Sequence, residues 1–337
     1  LTLELQPRAV PPPSPAAEGQ AGCSAPATRS GGPAERPVSV GPHPYGRAMS
    51  ETAAASPAPA PGSAGPATAG PAAPVVASLS PSRAADFLAC PLRYRFRVVD
   101  RLPEPPTPAG ARGTLVHAVL ERLFDLPAAE RTLPAAAGLL GPQWRRLAGT
   151  DSELSGLFPD PAGLAAWLAS ARELLTGYFA LEDPRRFTPD ARELYVETVL
   201  SSGLRLRGYL DRLDRAADGA LRVVDYKTGR VPAEAQQARA LFQLKFYALL
   251  LWRDRGLIAR ELRLFYLGDR AWLRYAPDES DLLATERKLT ALWQAIERAH
   301  RTGDWRPRPS RLCEWCDHQV RCPAFGGSPP TLPGDAR

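Results

Sequence analysis

The sequence predicts an α/β fold whose core runs helix, three strands, helix, strand, and three observations carry that expectation. Leu204, Leu206, Gly208 and Leu210 alternate with Arg205, Arg207, Tyr209 and Asp211, the two-residue period of a half-buried strand. Asp218-Gly219 marks a turn between that run and a second strand-like run, Leu221–Lys227. Upstream, residues 112–124 space their apolar side chains three and four apart, the period of an amphipathic helix.

Taken in order, the elements begin near Ser78. Ser80 and Pro81 read as the N-cap and first residue of a short helix through Leu88, which Cys90-Pro91 ends. An aromatic–basic stretch follows, Leu92-Arg93-Tyr94-Arg95-Phe96, and then a linker holding Pro103, Pro105, Pro106 and Pro108. After the helix Arg112–Phe124, residues 126–182 read as a helical insertion broken by Pro and Gly, clearest over Gly163–Phe179. Strands are expected over Glu193–Leu200, Leu204–Leu213 and Leu221–Lys227, then a long helix over Glu234–Asp254. Strands near Leu262–Leu267 and Trp272–Tyr275 and a helix over Ser280–Arg301 complete the order.

Composition sets the boundaries. Residues 1–76 hold 16 of the 37 prolines and few aromatics. Such a segment cannot bury enough apolar surface to offset its ordering entropy, so disorder is expected there. The chain starts with Leu and its single Met is Met49, as expected if residues 1–48 come from a start site assigned too far upstream; a genuine disordered tail is the alternative. Residues 77–326 are expected to form one domain and 327–337 a flexible tail. The lack of a long apolar run or leader pattern argues against a membrane partner and for a cytoplasmic protein. A net charge of +6 permits a polyanionic partner without demanding one.

Only three of the 42 basic residues are lysine, and one of them, Lys227, shares a strand face with Asp225. Asp211, near the end of the preceding strand, is placed to approach Asp225. Two carboxylates and a carbonyl such as that of Tyr226 suit Mg²⁺ or Mn²⁺, with Lys227 orienting a water or neutralising phosphorane charge. A lone Asp-x-Lys would otherwise read as a surface pair before a Thr-Gly turn. Gly208-Tyr209-Leu210-Asp211 followed by Val224-Asp225-Tyr226-Lys227 resembles the RecB-like exonuclease branch of the PD-(D/E)xK nuclease superfamily. The resemblance implies a restriction-endonuclease-like core and metal-dependent cleavage of DNA in repair or recombination. It implies that His117, in Gly113-Thr114-Leu115-Val116-His117, is a metal ligand with Asp211 and Asp225. Gln243 and Tyr247 match its Q-x-x-x-Y signature, and Glu197 its first-strand acid. By themselves, His117 would read as a helix-flank residue and Tyr247 as core. The rival reading is an inactive nuclease-like DNA-binding module of a helicase–nuclease complex. No G-x-x-x-x-G-K-[ST] loop is present, so unwinding would fall to a helicase or other repair partner.

Cys313, Cys316 and Cys322 form one compact group, and Cys90 lies far upstream; Cys23 is spare. Spacing alone fits a [4Fe–4S] cluster or structural Zn²⁺, the latter with four thiolates or with three and His318. The pattern resembles that of AddB-type nucleases, which implies a cluster pinning the two ends of the domain together. Beside these cysteines, Arg93, Arg95 and Arg306 alternate with aromatics and are candidate DNA contacts, with Tyr94 and Phe96 either stacking on bases or filling the core.

Overall fold

The computed structural model describes residues 4–7 and 78–332, built on a six-stranded mixed sheet. The strands are β1 (Glu4–Pro7), β2 (Ala191–Val199), β3 (Arg205–Arg215), β4 (Leu221–Lys227), β5 (Glu261–Tyr266) and β6 (Ala271–Tyr275), in the order β1-β6-β5-β4-β3-β2. Hairpins join the antiparallel pairs β2–β3, β3–β4 and β5–β6, and the edge pair β1–β6 is antiparallel without a hairpin. The parallel β4–β5 pair needs a crossover.

The helices are α1 (Pro81–Ala89), α2 (Pro91–Tyr94, continued by a π-helical turn over Arg95–Val99), α3 (Pro108–Leu123), α4 (Leu133–Thr150), α5 (Ser152–Ser155), α6 (Pro161–Leu181), α7 (Glu234–Arg255) and α8 (Glu279–Thr302). The crossover is α7. α3 starts at Pro108, earlier than the proline-rich sequence suggests. Thr107 accepts from the Gly110 N–H at 3.1 Å, and proline tolerates the first helical position because its missing N–H has no partner there.

Two apolar layers sandwich the sheet. Leu206, Leu210, Leu213, Val223, Leu264 and Leu273 pack with α7 and α8 on one face. Val224, Tyr226 and Phe265 pack with α3, α4 and α6 on the other. The helical insertion therefore supplies much of the second layer. Its contact is close at Gly177, where a Cβ would sit 1.8 Å from the Leu267 carbonyl oxygen, so only glycine lets α6 approach the sheet this far.

Arg212 crosses this second layer and is 1% exposed. Its guanidinium donates to Glu182, to the Tyr226 hydroxyl at 2.7 Å and to Asp214 at 3.1 Å. It also lies 4.8 Å from the centre of the Phe187 ring. Removing one member of a buried charge network strands the others, so Arg212→Ala should cost about 3–5 kcal/mol. Urea unfolding measures this; a variant as stable as the wild type would refute it.

The chain ends depart from expectation. Glu4–Pro7 pair with β6 although disorder was expected throughout 1–76; the rest of that expectation lies outside the described residues. At the other end, the Pro330 carbonyl accepts from buried Arg95 and Leu332 packs against the core. The segment expected to be a free tail from 327 is thus anchored as far as 332, and residues 333–337 lie outside the described residues.

Candidate active site

The site forms where two strands part. The β3–β4 ladder ends at Arg212↔Val224, one rung short of Asp211 and Asp225, whereas β4 stays paired with β5 as far as Lys227. Both β2 and β3 also reverse their alternation here. Leu194 and Leu210 belong to the α7-side core, and so do Ala191 and Leu213, three residues away in each strand. Between them Glu193 adopts a left-handed backbone, φ 45°. Side chains replace the lost ladder bonds around Tyr226: its N–H donates to Asp211 Oδ2 at 2.8 Å, and its carbonyl lies 3.0 Å from His117 Nε2. A carbonyl only accepts, so that ring nitrogen carries the proton.

The other imidazole nitrogen, Nδ1, lies 3.5 Å from Asp211 Oδ2. Among the described residues, His117, Glu193 and Asp211 form a group whose ligand atoms all lie within 4.8 Å of one another. Asp225 sits beside them, 2% exposed. Its Oδ1 accepts from Gln243 Nε2 at 3.0 Å. Its Oδ2 is 2.6 Å from Lys227 Nζ, but no donor is aligned on that buried oxygen as a hydrogen bond. Lys227 donates to Gln243 Oε1 at 2.8 Å, and Gln243 Nε2 reaches the Tyr247 hydroxyl at 3.2 Å. Gly208 makes room for that tyrosine, since a Cβ there would lie 2.9 Å from its ring. Lys227, Gln243 and Tyr247 line an open cleft of about 940 Å³.

This donor set fits a hard divalent cation: carboxylates, one imidazole, a backbone carbonyl and an unsatisfied carboxylate oxygen gathered at one point. Crowding of these groups also shifts their protonation in the metal-free site. Burial alone would lower the His117 pKa, but the hydrogen bond and charge of Asp211, helped by Asp225 and Glu193, push it up to about 9. Burial and the Asp211 charge raise Glu193 to about 7. Burial also raises Asp225, against the opposing pull of Lys227.

Each of these folded-state pKa values lies above its unfolded value. Each group's contribution is therefore present at low pH and lost as pH rises through its folded pKa. Metal-free protein should lose stability steadily from about pH 5 to about pH 9, while a cation that displaces these protons binds better as pH rises. The rise in Tm on adding Mn²⁺ over EDTA should widen across that range; a constant difference would overturn the assignment.

The structure thus brings His117, Asp211, Asp225, Lys227, Gln243 and Tyr247 together, and it adds Glu193. Glu197 stands apart, hydrogen-bonded to the Tyr195 hydroxyl at 2.5 Å and to Arg205 at 2.6 Å. The pairing register is the reason: Glu193 falls opposite Asp211, whereas Glu197 pairs with Arg207. Both acids lie in one expected strand, so the choice between them needed that register.

Cys90, Cys313, Cys316 and Cys322 converge on a second, small cavity. The Arg308 N–H donates to Cys90 Sγ at 3.4 Å and the Ser310 N–H to Cys313 Sγ at 3.3 Å. His318 is instead engaged with Glu104 at 2.9 Å and packs on Phe96, so it does not join the thiols. Of the arginines expected to touch DNA, only Arg95 is buried. Arg95 is buried against Asp100 at 3.0 Å, Arg93 lines the thiol cavity, and exposed Arg306 pairs with Asp304 at 2.9 Å. Tyr94 and Phe96 are buried and belong to the core.

The chain is similar to several known proteins. Gene 69 protein of Mycobacterium phage D29 is 27% identical over 273 residues, covering 73% of this chain and 96% of the phage protein. Its namesake in Mycobacterium phage L5 is 29% identical over 126 residues, or 36% of this chain and 41% of that protein. A solved structure from Eubacterium rectale, provisionally assigned as an exonuclease, shares 14% identity at a TM-score of 0.49, covering 72% of this chain and 88% of its own. The sequence pattern of the PD-(D/E)XK nuclease superfamily matches residues 78–323, from the start of α1 through the last cysteine of the thiol cavity. The chain belongs to the PD-(D/E)XK nuclease superfamily.

Proposed function

We propose that this chain is a Mg²⁺- or Mn²⁺-dependent DNA exonuclease of the RecB-like branch, working in DNA repair or recombination beside a helicase partner. The observation that carries the reading is the meeting of His117, Asp211 and the Tyr226 carbonyl with the linked side chains Asp225, Lys227 and Gln243. The first four groups would hold the cation, with Glu193 as a further ligand. When bound, the cation would polarise a phosphodiester oxygen and lower the pKa of a water.

The chain's own residues do the rest. Lys227 has three N–H donors; one goes to Gln243 while its charge pairs with Asp225, leaving donors for the attacking water or a phosphate oxygen. Gln243 fixes Asp225 and Lys227 together, and Tyr247 fixes Gln243 from the same helix face. This ordering favours an ammonium already aimed before substrate arrives.

The cysteines support a [4Fe–4S] cluster. Four thiols and two N–H···S contacts surround one cavity, the setting such clusters use. A tetrahedral zinc would draw its thiolates to about 2.3 Å from a single ion. The same four thiols would also suit such an ion, and the metal content of the purified protein distinguishes the two.

Digestion of end-labelled linear DNA and covalently closed circles with Mg²⁺ or Mn²⁺ tests the exonuclease reading. Linear DNA should be degraded from its ends and circles spared. Cutting of circles would make it an endonuclease, and binding without cutting would make it an inactive DNA-binding module.

A further inference from the structure

Of the described tyrosines, Tyr94, Tyr178, Tyr226, Tyr247, Tyr266 and Tyr275 are buried, whereas Tyr195 and Tyr209 are 44% and 58% exposed. The exposed two are direct cross-strand partners on β2 and β3. Their ring centres lie 5.1 Å apart. Such a pair on a sheet surface gives up the stabilisation that burying two large rings would bring. Both rings line the same cleft as Lys227 and Gln243.

The surroundings of the pair are organised. Glu197 accepts from the Tyr195 hydroxyl and is itself held by Arg205, so that ring is fixed at its polar end. Arg207 and Arg230 also line the cleft and add positive charge along it. Tyr209 follows Gly208, the residue that touches Tyr247, so one short run of β3 carries both the ring and the contact with the lysine–glutamine chain.

We propose that Tyr195 and Tyr209 form a stacking platform that selects an unpaired DNA strand and feeds it to Lys227. This rests on the nuclease reading and specifies the substrate of that site. Aromatic rings beside cationic groups are how single strands are held without sequence preference, because every base has a flat face and every nucleotide a phosphate. In a duplex those faces are covered by neighbouring bases, so a duplex reaches the arginines but not the rings. Glu197 then acts as a positioning residue for Tyr195 and does not touch the cation.

The full-length chain, held in Ca²⁺ to allow binding, is titrated with a single-stranded oligonucleotide carrying 2-aminopurine and with a blunt duplex of the same sequence. The single strand should bind at least about tenfold more tightly and its 2-aminopurine fluorescence should be quenched by stacking. Tyr195→Ala/Tyr209→Ala should weaken single-strand binding by about tenfold to a hundredfold and abolish the quench. Tyr195→Phe/Tyr209→Phe should keep the quench and lose affinity by severalfold at most, since the rings are retained while the Tyr195 contact with Glu197 is lost. Both side chains are exposed, and an unchanged Tm confirms that the variants fold. Unaltered binding and quenching in the double alanine variant would overturn the platform, and so would equal affinity for the duplex. If the quench is tyrosine-dependent but no DNA is ever cut, the platform stands and the nuclease reading falls. If DNA is cut regardless of the tyrosines, the reverse holds.

Discussion

Asp225→Asn should reduce cleavage of linear DNA to background, and Lys227→Ala should lower it by about 10²–10³-fold, with DNA binding retained in both. The asparagine keeps the size of the side chain and its contact with Gln243 but offers the cation a neutral oxygen. The alanine removes the ammonium that lies beside Asp225 and lines the cleft. Neither loss should come from unfolding. Asp225 is buried among like charges from Asp211 and Glu193, so neutralising it relieves repulsion in the metal-free protein. Asp225→Asn should therefore melt no lower than wild type in EDTA. Single-turnover digestion of end-labelled DNA, read beside melting curves, separates the two effects; cleavage within tenfold of wild type by either variant would remove its residue from the chemistry.

Cys90→Ser should have the second largest effect, on stability. Cys90 lines one cavity with Cys313, Cys316 and Cys322 across more than two hundred residues of chain, and the proposed cluster, as a covalent tie closing a loop of that length, would contribute about 5 kcal/mol. Its loss should lower Tm by roughly 10–20 °C and expose the segment after α8 to protease. The wild type should purify brown, with broad visible absorbance that the variant loses. A colourless wild type containing stoichiometric zinc would keep the tie and replace its chemistry. A variant as stable as wild type would show that the thiols are not tied at all.

Much of this molecule was legible before its structure. Local periodicity located most helices and strands, because period 2 and period 3.6 are set by backbone geometry and need no knowledge of neighbours. Asp225 and Lys227 could be paired because residues two apart on a strand share a face, and Gln243 and Tyr247 because residues four apart on a helix do. What escaped depends on partners distant in sequence. Glu193 was passed over for Glu197 because only the β2–β3 register puts the former opposite Asp211. Arg95 looked like a DNA contact because its neighbours are aromatic and basic; its burial follows from Asp100 and Pro330, the latter 235 residues away. Tyr195 and Tyr209 read as ordinary strand residues until their adjacency across two strands was known.

Tyr226 joins two parts of the protein through a single residue. Its peptide group is gripped by Asp211 and His117, while its ring packs edge-on to the His117 ring in the α3 layer and its hydroxyl receives Arg212. Warming that loosens the arginine network must tilt this ring, and the attached peptide moves with it. The catalytic centre would then lose its alignment while the sheet is still intact. Heat inactivation in this protein would be a local event that begins in the arginine network beneath the site and reaches the chemistry through one residue.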